Sequence, residues 1–451
     1  MQIIKGNKMA DILFEDFSDG QKVAFKTAMS VINGTEIQRH LIIKGSAGTG
    51  KTTLTKYLIR SLIKRGVKGI ILAAPTHQAK KVLSEKAGMK ASTIHSVLKI
   101  KPDTYEDTQE FNQSEVPDLS NCQVLILDEV SMYDDQLKQI LMRTIPSRCT
   151  IIGLGDEEQV RSVNGTGKSS IFKDVRFKVV ELEQVKRATG AILSMANHIR
   201  NDKWGKCKPE IINGENESVI EVDTAVDLLK KYFEHVKTPE DFENNRILCY
   251  TNKLVDSCNN AVRKRIYGPD VEAFVKGEVI VLQEPVTIFD KILNNEITLF
   301  NNSEWLRIKE AKEVSNIFGL PGVPSKVMIR YWQLNVESCD EENEATAFIN
   351  IISDADENKK LLELLSEAAY RYKNKDSQTR SSWKSFWELK KNCTGVKYLP
   401  AGTIHKSQGS TIDNVYIFAT QIEHANHLTT PEVKELLYTA FSRASKKVYY
   451  Y

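Results

Sequence analysis

Residues 45–52 read GSAGTGKT, so a lysine and a threonine follow a glycine-rich loop at the spacing GxxxxGK[ST]. Glycines let backbone N–H groups approach phosphate oxygens, and the lysine ammonium neutralises the β- and γ-phosphates. A hydroxyl group directly after the lysine is suited to bind Mg²⁺. The loop therefore predicts a nucleoside triphosphate site at the start of a helix. The residues of this predicted site are Gly45, Ser46, Ala47, Gly48, Thr49, Gly50, Lys51, Thr52 and Thr53.

Two adjacent carboxylates, Asp128 and Glu129, follow the apolar run VLIL. If that run is a strand, both carboxylates lie at the carboxyl edge of a sheet, where ligands bind in α/β proteins. Asp128 can hold Mg²⁺ through water, and Glu129 can polarise an attacking water molecule. An acidic pair at a strand end is common by itself. Downstream of a phosphate-binding loop it predicts phosphoryl-transfer chemistry.

Three further polar residues have the chemistry to complete such a site. Gln159, in the segment GDEEQ, can sense the γ-phosphate. Arg187 and Arg443 can each reach across a cleft, and a guanidinium in that position accelerates phosphoryl transfer roughly 10³–10⁵-fold. Taken singly, an arginine is more often part of a surface ion pair, so these roles depend on the whole set.

Short apolar runs predict the elements that position these residues. Runs at residues 41–43, 69–73, 124–127 and 150–153 are typical of buried parallel strands. Leu54, Leu58 and Leu62 have helical spacing, with Gly66 as a stop signal. A second set of runs lies at residues 247–250, 415–419 and 447–450. Alternation of strands and helices predicts two α/β units with parallel sheets.

The second unit is interrupted between residues 271 and 395. Strand-like stretches at residues 278–282, 305–308 and 327–336 lack intervening helical patterns, which predicts an inserted β domain. Residues 371–397 are basic and aromatic. Such a stretch can stack single-stranded bases, but it can equally be the buried side of a helix with solvated lysines.

Length and composition exclude several classes of protein. A chain of 451 residues forms roughly two to four domains, and 41% apolar residues exclude wholesale disorder. We find no apolar run of the roughly 20 residues that a membrane span needs, and the N-terminal sequence does not resemble a secretory signal. Met9 is an alternative start to Met1. Seven scattered cysteines predict neither a disulfide framework nor a zinc site.

The net charge of +3 conceals strong local differences. Residues 37–84 hold ten Lys and Arg and no Asp or Glu, whereas residues 102–135 hold ten acids and no Lys or Arg. A basic block is what a polyanion-binding surface needs, although it can also be an ordinary solvated surface. The phosphate-binding loop inside the block favours polyanion binding.

Seven segments together identify a family. They are GSAGTGKTTLTK, IILAAPTHQAKKVL, ASTIHSVLKI, VLILDEVSMYD, TIIGLGDEEQV, TIHKSQGSTID and LLYTAFSR. In this order they resemble the RecD-like branch of the superfamily 1 DNA helicases, and within it the helicases of T-even bacteriophages. HKSQG and GDEEQ separate this set from other proteins with phosphate-binding loops.

The resemblance implies an α/β fold with two RecA-like parallel-sheet motor domains. The first would comprise residues 1–180, with a β-hairpin pin at about residues 101–117. The second would comprise residues 181–270 and 396–451. Residues 271–395 would form a small Src-homology-like β-barrel insertion with a helical, aromatic and basic extension. Phe111 is our candidate for the aromatic tip of the pin, and an ordinary loop is the alternative for that region.

The resemblance also implies site residues. Gln21 stands where the family recognises adenine, and Lys51, Thr52, Asp128, Glu129, Gln159, Arg187 and Arg443 match its ATPase positions. Besides Phe111, the predicted DNA-binding residues are Pro75, Thr76, His77, Thr93, His95, Thr403, His405 and Lys406. For His95 the alternative is a hydroxyl-bonded histidine at the sheet edge.

Three positions depart from the family pattern. Val160 and the residues after it lack the usual proline, Asn302 and Ser303 replace an expected Asn-Gly turn, and Ser442 replaces the commoner threonine. None of these changes removes a catalytic group. We therefore expect them to affect coupling efficiency more than hydrolysis.

The implied function is ATP- and Mg²⁺-dependent 5′-to-3′ translocation on single-stranded DNA with unwinding of forks, in phage replication, recombination or repair. The resemblance implies a protein that functions as a monomer in the host cell cytoplasm, alongside phage single-strand-binding and recombination proteins. Two alternatives remain: a translocase that displaces bound proteins without efficient unwinding, and a phosphotransferase that uses the same loop on a small substrate.

Overall fold

The structure is a computed structural model of the whole chain. It describes residues 13–46, 48–105, 108–113, 116–160, 169–183, 190–201, 204, 218–290, 295–319, 325–340, 343–373 and 393–451. Arg187, Ala47 and most of the basic aromatic stretch at residues 371–397 lie outside the described residues.

Twenty strands are described along the chain. They are β1 (His40–Gly45), β2 (Ile70–Ala74), β3 (Ala91–Thr93), β4 (Ile100–Tyr105), β5 (Thr108–Gln113), β6 (Val124–Leu127), β7 (Thr150–Gly155), β8 (Phe177–Leu182), β9 (Ser218–Glu221), β10 (Asn245–Cys249), β11 (Val279–Leu282), β12 (Val286–Asp290), β13 (Asn295–Phe300), β14 (Trp305–Gly319), β15 (Lys326–Ser338), β16 (Thr346–Ile352), β17 (Val396–Tyr398), β18 (Ala401–Thr403), β19 (Ile412–Ile417) and β20 (Ala444–Tyr450).

The described α-helices are α1 (Asp19–Ile32), α2 (Lys51–Lys64), α3 (His77–Ala87), α4 (Ile94–Val97), α5 (Asp135–Thr144), α6 (Ala191–Arg200), α7 (Ala225–His235), α8 (Asn252–Tyr267), α9 (Ala355–Lys373), α10 (Ala419–Glu423) and α11 (Thr430–Phe441). No helix in the described part of the chain is long and apolar enough to cross a membrane.

The first sheet has six parallel strands in the order β3-β2-β6-β7-β1-β8. Successive residues of a strand point to opposite faces, so a fully buried strand needs apolar residues at every position. In β6, Val124 and Ile126 pack with helices on one face, whereas Leu125 and Leu127 join the core on the other. The four strands predicted for this unit are therefore confirmed as β1, β2, β6 and β7, and β3 and β8 form the two edges of the sheet.

The second sheet has five parallel strands in the order β18-β10-β19-β20-β9. Its core joins Leu248, Val415 and Val448 of the sheet to apolar residues of α6 and α11. The three strands predicted for this unit are confirmed as β10, β19 and β20. The prediction of two α/β units with parallel sheets is therefore correct.

In the first α/β unit, β4 and β5 form a β-hairpin between α4 and β6 in the chain. The β-hairpin expected at about residues 101–117 is therefore present. The register pairs Pro102 with Phe111 and Tyr105 with Thr108, so the chain turns between Tyr105 and Thr108. The prediction that Phe111 forms the tip is wrong, because Phe111 lies three residues along the strand from Thr108. Tyr105 is the aromatic residue that the register places beside the turn.

The inserted region is a mainly antiparallel β structure, as predicted. Five strands pair in the order β16-β15-β14-β11-β17, and β12 pairs with β13. Ile280, Leu306, Leu334 and Ile349 form its core. Between β13 and β14, Ser303 adopts the left-handed conformation with φ 64°, which a glycine would normally occupy. Ser303 therefore has the left-handed conformation expected of the glycine in an Asn-Gly turn, although the residue is serine.

The chain divides into two compact units. One comprises residues 1–237, 241–258 and 401–451, and therefore holds both parallel sheets; the other comprises residues 238–240 and 259–400. The division falls within α8, so the inserted unit includes the second half of this helix. Six cysteines that the structure describes are free thiols: Cys122, Cys149, Cys249, Cys258, Cys339 and Cys393.

Candidate ATPase site and nucleic-acid interface

The glycine-rich loop connects β1 to the N-terminus of α2. Gly48 and Gly50 both have φ 81°, a left-handed conformation that side chains disfavour. A Cβ atom on Gly45 would lie 2.8 Å from Thr49 Oγ1, and one on Gly50 would lie 2.3 Å from Gln21 Nε2. The loop geometry therefore requires glycine at these positions.

The Lys51 ammonium lies within the curve of this loop. It donates hydrogen bonds to the backbone carbonyl groups of Gly45 and Ser46, the second at 3.1 Å. Thr49 Oγ1 also donates to the Ser46 carbonyl, at 2.8 Å. These contacts hold the cation where the backbone N–H groups of the helix N-terminus converge, which is a favourable place for an anion.

The side chain of Gln21 contacts the backbone of the glycine-rich loop. Its amide oxygen accepts a hydrogen bond from Ser18 N at 3.0 Å, as part of a capping box that begins α1. Its amide nitrogen lies 3.2 Å from the Thr49 carbonyl oxygen and 3.4 Å from that of Gly50. The side chain is 1% exposed. Recognition of adenine by Gln21 stays a prediction.

Asp128 and Glu129 lie at the carboxyl end of β6, as the sequence predicts. Burial and the adjacent charge of Glu129 raise the pKa of Asp128 to about 7, although Lys51 and Lys86 partly oppose the shift. Asp128 Oδ1 accepts a hydrogen bond from Glu129 N at 3.0 Å. Glu129 itself has φ 49°, and a non-glycine residue in this left-handed conformation is a feature of functional sites. The backbone thus directs two adjacent carboxylates differently.

Gln159 follows β7 and is 5% exposed. Among the described residues its Oε1 atom is buried without a hydrogen-bond partner, and the same holds for Ser131 Oγ and Tyr133 Oη. Burial, followed by the charge of the nearby Asp128, raises the pKa of Tyr133 well above its usual value. Buried polar atoms without a partner are rare, and they are expected where a polar ligand binds.

The segment that contains Gln159 is bonded to the second sheet. Val160 N donates to Thr439 Oγ1 at 2.9 Å, and Gln408 Nε2 donates to the Val160 carbonyl at 2.6 Å. Tyr438 Oη donates to the Asp156 carboxylate. These contacts tie the end of β7 to the helix α11. Tyr438 and Gln408 are not among the predicted site residues, although they lie within the segments LLYTAFSR and TIHKSQGSTID.

Arg443 follows α11 and is buried, with 5% exposure. Its guanidinium donates to the Thr439 carbonyl at 3.1 Å, the Ser410 carbonyl at 3.4 Å and Ser442 Oγ at 2.9 Å. Among the described residues no carboxylate pairs with it. The alternative of a surface ion pair is therefore wrong for Arg443.

Predicted DNA-binding residues from both sheets lie at carboxyl strand ends. Thr76 caps α3 by accepting a hydrogen bond from Ala79 N, and Thr93 caps α4 in the same way. Pro75 and His77 flank Thr76. Each of these residues is half-buried, so each has some surface exposed to a ligand.

Thr403 ends β18 in the second sheet, His405 and Lys406 follow it, and Lys406 is exposed. The next loop approaches the first sheet closely, since a Cβ atom on Gly409 would lie 2.7 Å from Ala79 Cβ and 3.6 Å from Thr76 Oγ1. The structure therefore brings Thr76 close to the second of these segments. Burial lowers the pKa of both His95 and His405, so both imidazoles are neutral near pH 7.

Three family models match the chain. Residues 29–165 match a model described as AAA domain, residues 271–398 match the Dda helicase SH3 domain, and residues 398–451 match the UvrD-like helicase C-terminal domain. The SH3 match confirms the predicted Src-homology-like insertion.

Two curated proteins illustrate the range of similarity. The ATP-dependent DNA helicase dda of Enterobacteria phage T4 is 43% identical over 97% of this chain and 99% of its own length. The ATP-dependent RecD2 DNA helicase of Deinococcus radiodurans is 32% identical over 39% of this chain and 24% of its own length. The first similarity extends over both α/β units and the insertion.

The solved structures include Pif1 helicases of lower similarity. Two coordinating Pif1 helicases at forked double-stranded DNA give a TM-score of 0.48 at 17% identity, covering 96% of this chain and 92% of the matched chain. Bacteroides Pif1 bound to single-stranded DNA gives a TM-score of 0.43 at 17% identity, covering 97% and 92% respectively.

Proposed function

Because the chain belongs to the Dda family of superfamily 1 DNA helicases, we propose that it uses ATP hydrolysis to move 5′ to 3′ along single-stranded DNA and to unwind duplex DNA. It is an ATP-dependent DNA helicase. The direction of movement depends on the family resemblance. We assign residues 1–180 to the first motor domain, residues 181–270 and 396–451 to the second, and residues 271–395 to the insertion.

In this proposal the triphosphate binds in the glycine-rich loop. Its oxygens replace the carbonyl groups that Lys51 contacts, and Glu129 accepts a proton from the attacking water. Gln159, Arg187 and Arg443 contact the γ-phosphate, and the buried, unpartnered Oε1 atom of Gln159 supports its part. A γ-phosphate held from both sheets favours the closed cleft, and hydrolysis weakens that preference.

Mg²⁺ would neutralise phosphate charge, and we propose that Thr52 and Asp128 hold it. The raised pKa of Asp128 fits this role, because a nearby divalent cation stabilises a buried carboxylate that otherwise resists ionisation. In the described part of the chain no group of three or more His, Cys, Asp or Glu side chains could hold a metal ion. That pattern suits Mg²⁺, which takes most of its ligands from water and substrate phosphates.

The observation that carries the motor function is the bonding of Val160 to both Thr439 and Gln408. Gln159 directly precedes Val160 in the chain. The carbonyl group of Thr439 accepts a hydrogen bond from Arg443. A change at the γ-phosphate is therefore transmitted between sheets through a chain of short contacts.

We propose that single-stranded DNA crosses the carboxyl strand ends of both sheets. The approach of Gly409 to Thr76 supports this, since it joins the two predicted DNA-binding surfaces. The DNA-binding role extends to Pro75, His77, Thr93, His95, Phe111, Thr403, His405 and Lys406. We further propose that the protein acts as a monomer at DNA forks in the host cell cytoplasm, with phage single-strand-binding and recombination proteins as partners.

The test uses two duplexes of identical sequence, one with a 5′ single-stranded tail and one with a 3′ tail. We expect ATP-dependent unwinding of the 5′-tailed duplex alone. Unwinding of only the 3′-tailed duplex would overturn the direction. DNA-stimulated ATP hydrolysis without unwinding of either duplex would favour the alternative, a translocase that displaces bound proteins.

The pin hairpin favours unwinding over translocation alone. If it separates the duplex, Tyr105→Ala, which removes the aromatic ring beside the turn, will reduce unwinding while leaving the translocation rate on single strands unchanged. Translocation is measured as the time to displace streptavidin from a biotinylated oligonucleotide. An equal loss of both activities contradicts the role of the pin.

A further inference from the structure

Three ring side chains form a row at the carboxyl edge of the second sheet. Tyr250 follows β10, His405 follows β18, and His427 lies in the loop before α11. The Tyr250 and His427 rings are stacked, with centroids 5.6 Å apart and planes at 28°. The Tyr250 and His405 centroids are 6.4 Å apart, with planes at 40°. We call these three residues the ring row.

Hydrogen bonds fix the orientation of the ring row. The Tyr250 hydroxyl and His427 Nε2 are 2.8 Å apart. The Gln421 side chain accepts a hydrogen bond from Tyr250 N at 3.1 Å and donates to Thr251 Oγ1 at 2.9 Å. His427 is exposed, whereas Tyr250 and His405 are half-buried. The rings are therefore held in place before any ligand binds, which reduces the entropy lost on binding.

The surroundings of the ring row favour an anion. The 16-residue helix α8 begins two residues after Tyr250, so its partially positive N-terminus lies beside the rings. Lys253, in the first turn of α8, and Lys406, next to His405 in the chain, are both exposed. Burial, followed by the charge of Glu432, raises the pKa of Tyr250. Glu432 caps α11, where its carboxylate accepts hydrogen bonds from Thr429 N at 2.8 Å and from Thr429 Oγ1 at 2.7 Å.

A nucleotide combines a planar base with an anionic phosphate group, so it matches these surroundings. A base can stack on an aromatic or imidazole ring, while its phosphate faces a helix N-terminus or a lysine. Bases in duplex DNA are already stacked and paired, so exposed rings select unpaired bases. Neither the triphosphate loop nor the set of predicted DNA-binding residues contains Tyr250 or His427.

We propose that the ring row is a stacking platform for a base of single-stranded DNA, with Tyr250 and His427 as new contact residues beside His405. The proposal rests on the proposed function, because it extends the same DNA path. It predicts that part of the affinity for single strands comes from the bases themselves, in addition to the phosphates.

The test compares two oligonucleotides of equal length and charge, one of thymidines and one with abasic sites in its central part. Fluorescence anisotropy at fixed salt gives the dissociation constant of each for the full chain. We expect the wild type to prefer the thymidine strand. Tyr250→Ala combined with His427→Ala should weaken binding of that strand roughly fivefold or more, and leave binding of the abasic strand unchanged.

Two further variants sharpen the result. His424→Ala removes an exposed histidine three residues before His427 and should leave both affinities unchanged. Tyr250→Phe keeps the ring but removes the hydrogen bond to His427, so it should retain most of the preference for bases. If the double variant proves unstable, photocrosslinking of wild-type protein to 5-iodouracil DNA should label Tyr250, His405 or His427.

The outcomes separate this proposal from the helicase function. If the double variant keeps the preference for bases, or weakens both strands equally, the stacking platform is refuted while unwinding by the wild type is unaffected. If photocrosslinks occur only elsewhere, the same conclusion follows. Failure of the wild type to unwind any tailed duplex would instead contradict the helicase function.

Discussion

The phenolic hydroxyl of Tyr438 donates a hydrogen bond to the carboxylate of Asp156, and each residue is 1% exposed. Asp156 directly follows β7 of the first sheet, and Tyr438 lies on α11, which packs on the second sheet and is followed by Arg443. Because the Asp156 carboxyl group is buried, removal of the hydroxyl that donates to it lowers the free energy of unfolding. This contact therefore resists separation of the two segments that face the γ-phosphate in our proposal.

We expect Tyr438→Phe to destabilise the unit by roughly 1–3 kcal/mol, because it leaves the Asp156 carboxylate with one hydrogen bond fewer. We also expect fewer base pairs unwound per ATP hydrolysed, since the link from Asp156 to α11 is weakened. Chemical denaturation measures the first effect, and parallel assays of phosphate release and strand separation measure the second.

Tyr232→Phe is the matched control for Tyr438→Phe. The Tyr232 hydroxyl is also buried but has no hydrogen-bond partner among the described residues, so its removal should be neutral or slightly stabilising. Similar behaviour of the two variants in both assays would show that the hydrogen bond between Tyr438 and Asp156 contributes nothing.

Glu129→Gln should bind ATP and hydrolyse it at least about 100-fold more slowly, because the amide cannot accept a proton from water. Single-turnover hydrolysis and binding of a fluorescent nucleotide separate the two effects. Glu157→Gln is the control, since Glu157 is paired with Lys44 at 3.6 Å and has no role in the proposed chemistry. Near-normal turnover of Glu129→Gln would remove Glu129 from the role of general base.

Much of the fold is predictable because each buried strand has a continuous apolar run. β6 illustrates this, since its four residues are all apolar and its bounds agree with the prediction. Strands at the edges of a sheet are harder to predict. β3 contains Ser92 and Thr93, and only its pairing with β2 makes it a strand. The glycine-rich loop and the acidic pair are predictable because their chemistry dictates local spacing.

Contacts between distant segments are not predictable in the same way. Nothing in the sequence near Asp156 indicates that Tyr438 is its partner, because 282 residues separate them and only the packing of two sheets brings them together. The residue at the tip of the pin is hard to predict for a related reason. Register decides which residue lies beside the turn, and a mainly polar, acidic segment constrains register weakly.

His40 makes the stability of the first sheet depend on pH. His40 is 7% exposed, and its Nδ1 atom accepts a hydrogen bond from Ile151 N at 3.1 Å. Burial, followed by the charges of Arg39 and Arg176, lowers the pKa of His40 to about 4. In the unfolded chain the pKa is near 6.5, so the unfolded state binds the proton more readily and stability falls as pH drops from about 6.5 to 4.

His40→Asn tests this dependence, because an asparagine oxygen can replace Nδ1 as acceptor without titrating. We expect wild type to lose roughly 2 kcal/mol of unfolding free energy between pH 7 and pH 5 that the variant retains. Urea denaturation at several pH values provides the comparison. Parallel pH profiles for the two proteins would mean that His40 does not titrate as its burial implies.

The final prediction concerns the turn between β13 and β14, where Ser303 has φ 64°. A side chain in this left-handed conformation costs roughly 1–2 kcal/mol, and glycine avoids that cost but loses more entropy on folding. Ser303→Gly should therefore stabilise the inserted unit by about 0.5–1 kcal/mol, seen by calorimetry of the full chain as a higher midpoint for that unit. Ser303→Ala keeps the Cβ atom and should bring no gain. If both variants shift the midpoint equally, backbone strain at residue 303 is not the cause.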